Sequence, residues 1–148
     1  MGEELPEGER GMAAALRARG ERLTPQRLLV LEAIQAGCGH QTAEAVHARV
    51  RAAYPYVNIA TIYRALGWLK DQGLIAETDL GNGQAEYEYI AERRHHHLVC
   101  LRCGGQQEFA HELVAPLAAQ LREQYKFEPR LDHLAVFGLC RECVSAER

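Results

Sequence analysis

Long apolar runs are missing from this sequence. Its uninterrupted hydrophobic stretches, such as Leu28 to Leu31, are a handful of residues, far short of the ~20 that a bilayer-spanning helix needs. The acidic start, Met1 to Glu9, lacks the basic-then-apolar order of a signal peptide. A cytoplasmic protein with no membrane partner is expected. An overall excess of positive charge is also missing, because 17 Lys and Arg stand against 20 Asp and Glu for a net −3. Taken whole, that balance argues against a nucleic-acid binder. There is no HExxH motif and no nucleophile constellation, so neither a metal-dependent hydrolase nor any other enzyme with a small-molecule substrate is expected.

What is present is an ordinary globular composition, 47% hydrophobic and 25% charged over 148 residues, enough for one domain or two small ones. The charge average hides an asymmetry. Residues 1–10 carry one Arg and four Glu, residues 11–75 carry eight basic and four acidic groups, and residues 76–148 carry eight and twelve. A basic unit facing phosphate joined to an acidic unit facing cations is one pattern that fits, and an unevenly charged solvated surface is the other.

The basic part reads as successive short helices. Thr24-Pro25 is a start signal, Leu28, Leu31 and Ile34 recur at helical spacing, and Gly37 can close the turn. Thr42 can cap a second helix with Ala45, Val46 and Val50 inward, ending near Tyr54-Pro55. Asn58 can cap a third, whose stripe Ile59, Ile62, Leu66 and Leu69 leaves Thr61, Tyr63 and Arg64 off the buried face, with Gly73 at its end. Leu74 to Thr78 and Ala85 to Ile90 then alternate as strands around Gly81-Asn82-Gly83. Three helices and a hairpin predict a winged helix-turn-helix, in which the third helix enters the major groove of double-stranded DNA.

Beyond a charged link, Ala91 to Arg94, the grammar changes. Leu98 to Arg102 and Gln106 to Phe109 predict strands, and Leu113, Leu117 and Leu121 predict a helix interrupted early by Pro116. Leu131 to Leu139 predicts a further strand with Leu131, His133, Ala135, Phe137 and Leu139 on one face. Fewer than sixty residues build little core, so this unit needs a metal staple or a partner subunit.

Cysteines supply the staple. Cys100-x-x-Cys103 and Cys140-x-x-Cys143 form two knuckles that can aim four thiolates at one zinc ion, a closed tetrahedral and therefore structural site. A disulfide pair is disfavoured in the cytoplasm, and a thioredoxin-type motif is disfavoured because two motifs are present and neither opens a βαβ helix. Cys38 is left over as a small buried side chain. Seven histidines include the run His95-His96-His97 just before Cys100. On an extended strand His95 and His97 face one side and His96 the other, so one run can feed two sites.

Several motifs in order give a family resemblance: Arg22-Leu-Thr-Pro-Gln-Arg27, His40-Gln-Thr-Ala-Glu44, Ala60-Thr-Ile-Tyr-Arg-Ala-Leu66, Gly73-Leu-Ile75, His95-His-His-Leu-Val-Cys100, Cys103-Gly104, Glu108-Phe109 and Phe137-Gly-Leu-Cys140. From about Gly11 to Cys143 the chain resembles the ferric uptake regulator superfamily of metal-sensing repressors. The resemblance implies an α+β homodimer: a winged-helix DNA-binding domain over residues 1–90 with 1–10 flexible, a hinge at 91–94, and an α/β dimerisation domain over 95–148 stapled by the four-cysteine zinc site. It places a regulatory metal on His40, Glu88, His95, His97 and Glu108, a three-imidazole, two-carboxylate set suited to Fe(II) or Mn(II). It places DNA contacts on Tyr63 and Arg64, with Thr61 close by and Arg22 reaching the minor groove. One ion bonding across the hinge would favour a closed arrangement and set the spacing of two recognition helices.

The sequence departs from the family at a second metal site. Its four positions fall on Arg94, His96, Ala115 and His133, which leaves His96 and His133 as an accessory pair with His111 or Glu112 nearby as substitutes. The uptake-control reading has two relatives within the superfamily. A peroxide sensor using bound Fe(II) typically has Asp where this chain has Glu108, and a zinc uptake regulator often has Cys near Tyr89 and Ile90.

Overall fold

Side-chain caps decide where the central helices begin. The computed structural model describes residues 7–146. The Thr24 hydroxyl accepts from the Arg27 N–H and opens α2 (Pro25–Gly37), Thr42 accepts from Ala45 at 3.1 Å and opens α3 (Ala43–Ala53), and Asn58 accepts from Thr61 at 2.9 Å and opens α4 (Ile59–Asp71). Each cap satisfies a first-turn amide that the helix itself cannot. Gly73, at φ 73°, closes α4 in the left-handed region. A preceding helix, α1 (Glu7–Ala18), was not expected. Of the ten residues expected to be flexible, 1–6 lie outside the described residues, whereas Glu7 to Arg10 form the first turn of α1.

The hairpin pairs β1 (Ile75–Asp79) with β2 (Ala85–Tyr89) from Ile75↔Tyr89 to Asp79↔Ala85. Its turn is held by the Asp79 carboxylate, which accepts from the Gly81 and Gly83 amides at 2.8 and 3.1 Å. The apolar core lies beneath this half: Val30, Leu31, Ile34, Val46, Val50, Ile62, Leu66 and Leu69 close on one another and on Leu16, Leu74, Ile75 and Tyr87. Ala45, expected inward, is exposed, and Ala43 takes the buried place two positions earlier, while Cys38, expected to be buried, is exposed at the C-cap of α2.

The remaining elements are β3 (His95–Cys100), β4 (Gln106–Ala110), α5 (Ala115–Tyr125), β5 (Ala135–Gly138) and α6 (Arg141–Ser145). β3 is central, antiparallel to β4 and parallel to β5. It starts three residues before the expected Leu98 and stops at Cys100, because the Gly104 amide turns back onto the Cys100 carbonyl at 2.9 Å. The expected nine-residue strand shrinks to Ala135–Gly138. Pro116 does not interrupt α5 but sits in its first turn, where no amide is required, and Leu113 belongs to the 3₁₀ turn before it. Little of this half is buried. Neither α5 nor α6 has a buried residue among those described, and Leu113, Leu117, Phe127, Val136 and Phe137 are exposed.

Candidate metal centres and DNA-facing helix

The two knuckles meet. Cys100 ends β3, Cys103 follows its turn, Cys140 is the N-cap residue of α6 and Cys143 lies in that helix. The four sulfurs lie within 4.8 Å of one another, with Cys103 Sγ 3.8 Å from Cys140 Sγ. Backbone amides of Cys103, Cys140 and Arg102 bring the Cys100 thiol down to about 6. The hydrogen bond with Cys140, then burial and the other thiols, push Cys143 up to about 12. One thiolate forms readily and the last resists unless a cation shares the cluster. This donor set fits a structural zinc ion.

A second cluster forms where the hairpin, the α2–α3 loop and β3 converge. Its hub is Glu88 Oε2, with His95 Nε2 and His133 Nε2 at 3.1 Å, His40 Nε2 at 3.2 Å and His97 Nε2 at 3.4 Å. His97 Nε2 is also 3.1 Å from His40 Nε2 and 2.9 Å from His133 Nε2. Neighbouring ligand atoms around an ion with bonds of about 2.1 Å stand roughly 3.0–3.4 Å apart, so these spacings match a coordination shell. His95 tests the fit independently. Its Nδ1 lies 3.3 Å from the Arg93 carbonyl, which can only accept, so in the neutral ring Nε2 keeps the free lone pair that a metal ligand needs, 3.1 Å from Glu88 Oε2.

The electrostatics agree with ligand duty. Burial, with the nearby His40 and His133 rings, brings His97 down to about 4, and burial lowers His40 despite the pull of Glu88. Burial alone would raise Glu88, but the hydrogen bond from His133 and the fields of His40 and His95 outweigh it and leave the carboxyl at about 2. At neutral pH His97 is therefore a neutral imidazole and Glu88 an anion, the forms that bind metal.

Of the five expected regulatory residues, His40, Glu88 and His97 converge in one group, His95 shares Glu88 with a second group that includes Glu108, and Glu108 stands at the rim. Its Oε1 is 3.9 Å from His95 Nε2, its Oε2 pairs with Arg93 at 3.2 Å, and the side chain is half exposed. The expected pairing of His133 with His96 does not occur. His97 pairs with Ala135 across parallel strands, so both face one side, and His133, two residues back, shares that side. His96 faces the opposite side. Its Nδ1 accepts from the Leu134 amide at 2.9 Å and its Nε2 donates to His111 Nδ1 at 2.9 Å, so neither nitrogen offers a lone pair.

Gln41, unremarked in the sequence, ties the cluster to the helices. Its main chain exchanges two hydrogen bonds with Tyr87, at 2.9 and 2.7 Å, so the residues next to His40 and Glu88 form a two-bond bridge. The buried amide of Gln41 donates to the Ile34 carbonyl at the end of α2 and accepts from Arg49 of α3, which itself donates to the Ala33 carbonyl at 2.7 Å.

On α4, Ile62, Ala65, Leu66 and Leu69 are buried while Tyr63 and Arg64 are exposed, as the stripe predicted. The Tyr63 hydroxyl donates to Glu44 of α3 at 3.1 Å, and Arg64 reaches the Thr61 hydroxyl at 3.3 Å, which is itself linked to Asn58. Arg22 is exposed beside the groove that Arg17 also lines. Glu44 belongs to a motif of the family resemblance, but its contact with Tyr63 was not readable from the sequence, since the two lie 19 residues apart on different helices.

The family model described as ferric uptake regulator family matches residues 18–137. The peroxide-responsive repressor PerR of Staphylococcus aureus is 27% identical over 130 residues, covering 88% of this chain and 87% of that protein. Among solved structures, a zinc uptake regulator complexed with zinc and DNA is 29% identical, covers 97% of this chain and 99% of its own, and superposes with a TM-score of 0.64. A ferric uptake regulator from Pseudomonas aeruginosa with manganese is 27% identical over 86% of this chain and 96% of its own, with a TM-score of 0.65. Among the described residues no helix is long and apolar enough to cross a membrane.

Proposed function

We propose, from the premise that this chain belongs to the ferric uptake regulator family, that it is a dimeric repressor of metal uptake and homeostasis genes whose hold on operator DNA is set by a divalent ion. Residues 1–90 read the DNA, 91–94 act as a hinge, and 95–148 carry the subunit interface. One observation carries this reading: a single carboxylate oxygen, Glu88 Oε2, has imidazole nitrogens from both sides of the hinge within 3.4 Å.

His40 and Glu88 would hold the ion from the hairpin side, and His95 and His97 from β3, with Glu108 closing the rim. A bound ion supplies the positive charge that lets these donors face one another. Because the donors meet only when the hairpin lies against β3, ligation favours the closed arrangement over others. Gln41 and Arg49 pass that constraint to α2 and α3, and so to α4. In a dimer, two α4 helices are thereby placed against two half-sites. Tyr63, Arg64 and Thr61 face the major groove, and Arg22 an adjacent minor groove, while the differential affinity of the ion for the closed form is the coupling energy to DNA.

The effector is Fe(II) or Mn(II) on the uptake-control reading. Likeness to PerR supports a second reading, a peroxide sensor that uses bound Fe(II), although Glu108 stands where such sensors carry Asp. Likeness to the zinc uptake regulator supports Zn(II). The test is elemental analysis of protein purified without chelators, followed by binding to duplexes selected by the chain from a random library, titrated with each ion. Metal-stimulated retardation is the expected result. Equal DNA binding with and without every ion would refute the proposal.

A further inference from the structure

We infer that His133 is an inner ligand of the regulatory ion, held in position by Thr78, and that the fourth imidazole it adds biases the site against Mn(II) and towards nitrogen-preferring ions such as Co(II) and Zn(II). This rests on the reading above that the cluster binds an effector ion.

The register of the second sheet places His133 on the face of β3 that carries His95 and His97. Its Nε2 then stands 2.9 Å from His97 Nε2 and 3.1 Å from Glu88 Oε2. Its side chain is 2% exposed, against 47% for Glu108. Glu108 is also engaged by Arg93, whereas every polar contact of His133 points into the cluster or to Thr78. With His133 the proposed set holds four imidazoles and Glu88: His40, Glu88, His97 and His133 have donor atoms within 4.8 Å of one another, and His95 joins through Glu88, with which it groups together with Glu108. Imidazole suits later first-row ions, whereas oxygen-rich sets suit Mn(II), so the exchange of a rim carboxylate for a buried ring works against manganese.

Thr78, on β1, supplies the orienting contact. Its buried hydroxyl lies 2.6 Å from His133 Nδ1. A hydroxyl both donates and accepts. It can therefore donate to Nδ1 when Nε2 bonds Glu88 through its hydrogen, and accept from Nδ1–H when Nε2 gives its lone pair to an ion. That adaptability is what a ligand's outer partner needs. The same contact ties the hairpin directly to the segment leading into β5, so His133 adds a further link across the hinge.

The test uses full-length protein with zinc in the four-cysteine site, titrated with Co(II) and followed by its d–d absorption, and with Mn(II) followed by the magnetic resonance of the free ion. His133→Ala should weaken Co(II) binding by on the order of 10–100-fold or more, alter the d–d envelope and narrow the Co(II)-over-Mn(II) preference. Thr78→Val should weaken Co(II) in the same range, and Thr78→Ser should restore it. Should His133→Ala fail to fold, the Thr78 pair decides, and wild-type Co(II) affinity in Thr78→Val overturns the assignment. Wild-type affinity and spectrum in His133→Ala, with both lost in His97→Ala, would overturn His133 as a ligand while leaving the regulatory site standing. If wild-type protein takes up no Co(II) beyond the zinc held by the four cysteines, both readings fall.

Discussion

His97 touches two other imidazoles and the shared carboxylate, so its removal opens the cluster at its centre. His97→Ala is expected to abolish metal-stimulated DNA binding while the zinc content of the four-cysteine site, measured by elemental analysis, stays at one per chain. Acid should act on the same residues in the metal-free regulatory site. Folded His97 titrates at about 4, below its usual 6.5. As pH falls from about 6.5 to about 4 the unfolded chain takes up a proton that the folded chain refuses, so stability falls across that window. Glu88, at about 2 instead of 4.5, stabilises the fold above pH 4.5 and loses that contribution as pH falls towards 2. Melting temperatures between pH 7 and pH 4 should therefore drop less in His97→Gln than in wild type, and parallel curves would refute the assignment. His95 and His97 were legible because strand alternation is local, and the caps Thr24, Thr42 and Asn58 because each bonds an amide three residues on. The side taken by His133 was not legible. It depends on a parallel register between segments nearly forty residues apart, and a shift of one residue would turn the ring to the other face.

Among elements, α4 is the one whose two faces have different work. Its buried stripe fixes the helix on α2 and α3, and Arg64 stands clear of that stripe. Arg64→Ala is expected to leave metal content and melting temperature unchanged and to weaken binding to selected duplexes by ~1–3 kcal/mol. Relaxed sequence preference would mark a base contact, and a shallower salt dependence would mark a phosphate contact. Wild-type affinity at every salt concentration would count against α4 as the reader. The hairpin was legible through Gly81-Asn82-Gly83, because turn chemistry needs only neighbouring residues. β5 was overextended, since alternation in Leu131 to Leu139 records which residues could share a face and not how far a pairing strand runs. α1 escaped notice because glycines at positions 8 and 11 weaken its intrinsic signal, and its burial of Leu16 comes from tertiary packing.

At the scale of the whole chain, one half owns the apolar core and the other is held by cysteine chemistry. Cys103→Ser should release the zinc and lower the melting temperature by roughly 10 °C or more, because metal binding substitutes for the missing core. Full zinc content with an unchanged melting temperature would refute that role. The apolar side chains left open on α5 and β5 fit the subunit interface proposed for residues 95–148. Val136→Asp should shift the molecular mass in sedimentation from dimer to monomer and weaken DNA binding while sparing zinc, since Val136 is exposed and is not one of the zinc ligands. A dimer of unchanged stability would place the interface elsewhere.

The two main-chain hydrogen bonds between Gln41 and Tyr87 give the clamp one stiff jaw. His40 and Glu88 are neighbours of the two bridged residues, so on the reading proposed above an ion held there would have little left to set except the angle between that jaw and the strand bearing His95 and His97. Ions of different radius would close that angle to different degrees. At the far end of the lever lies α4, so a difference in ionic size would be translated into a difference in the distance between two reading heads along the duplex. Discrimination between metals need not then be a matter of affinity alone: an ion of the wrong size could bind tightly and still hold the protein out of step with the DNA helical repeat.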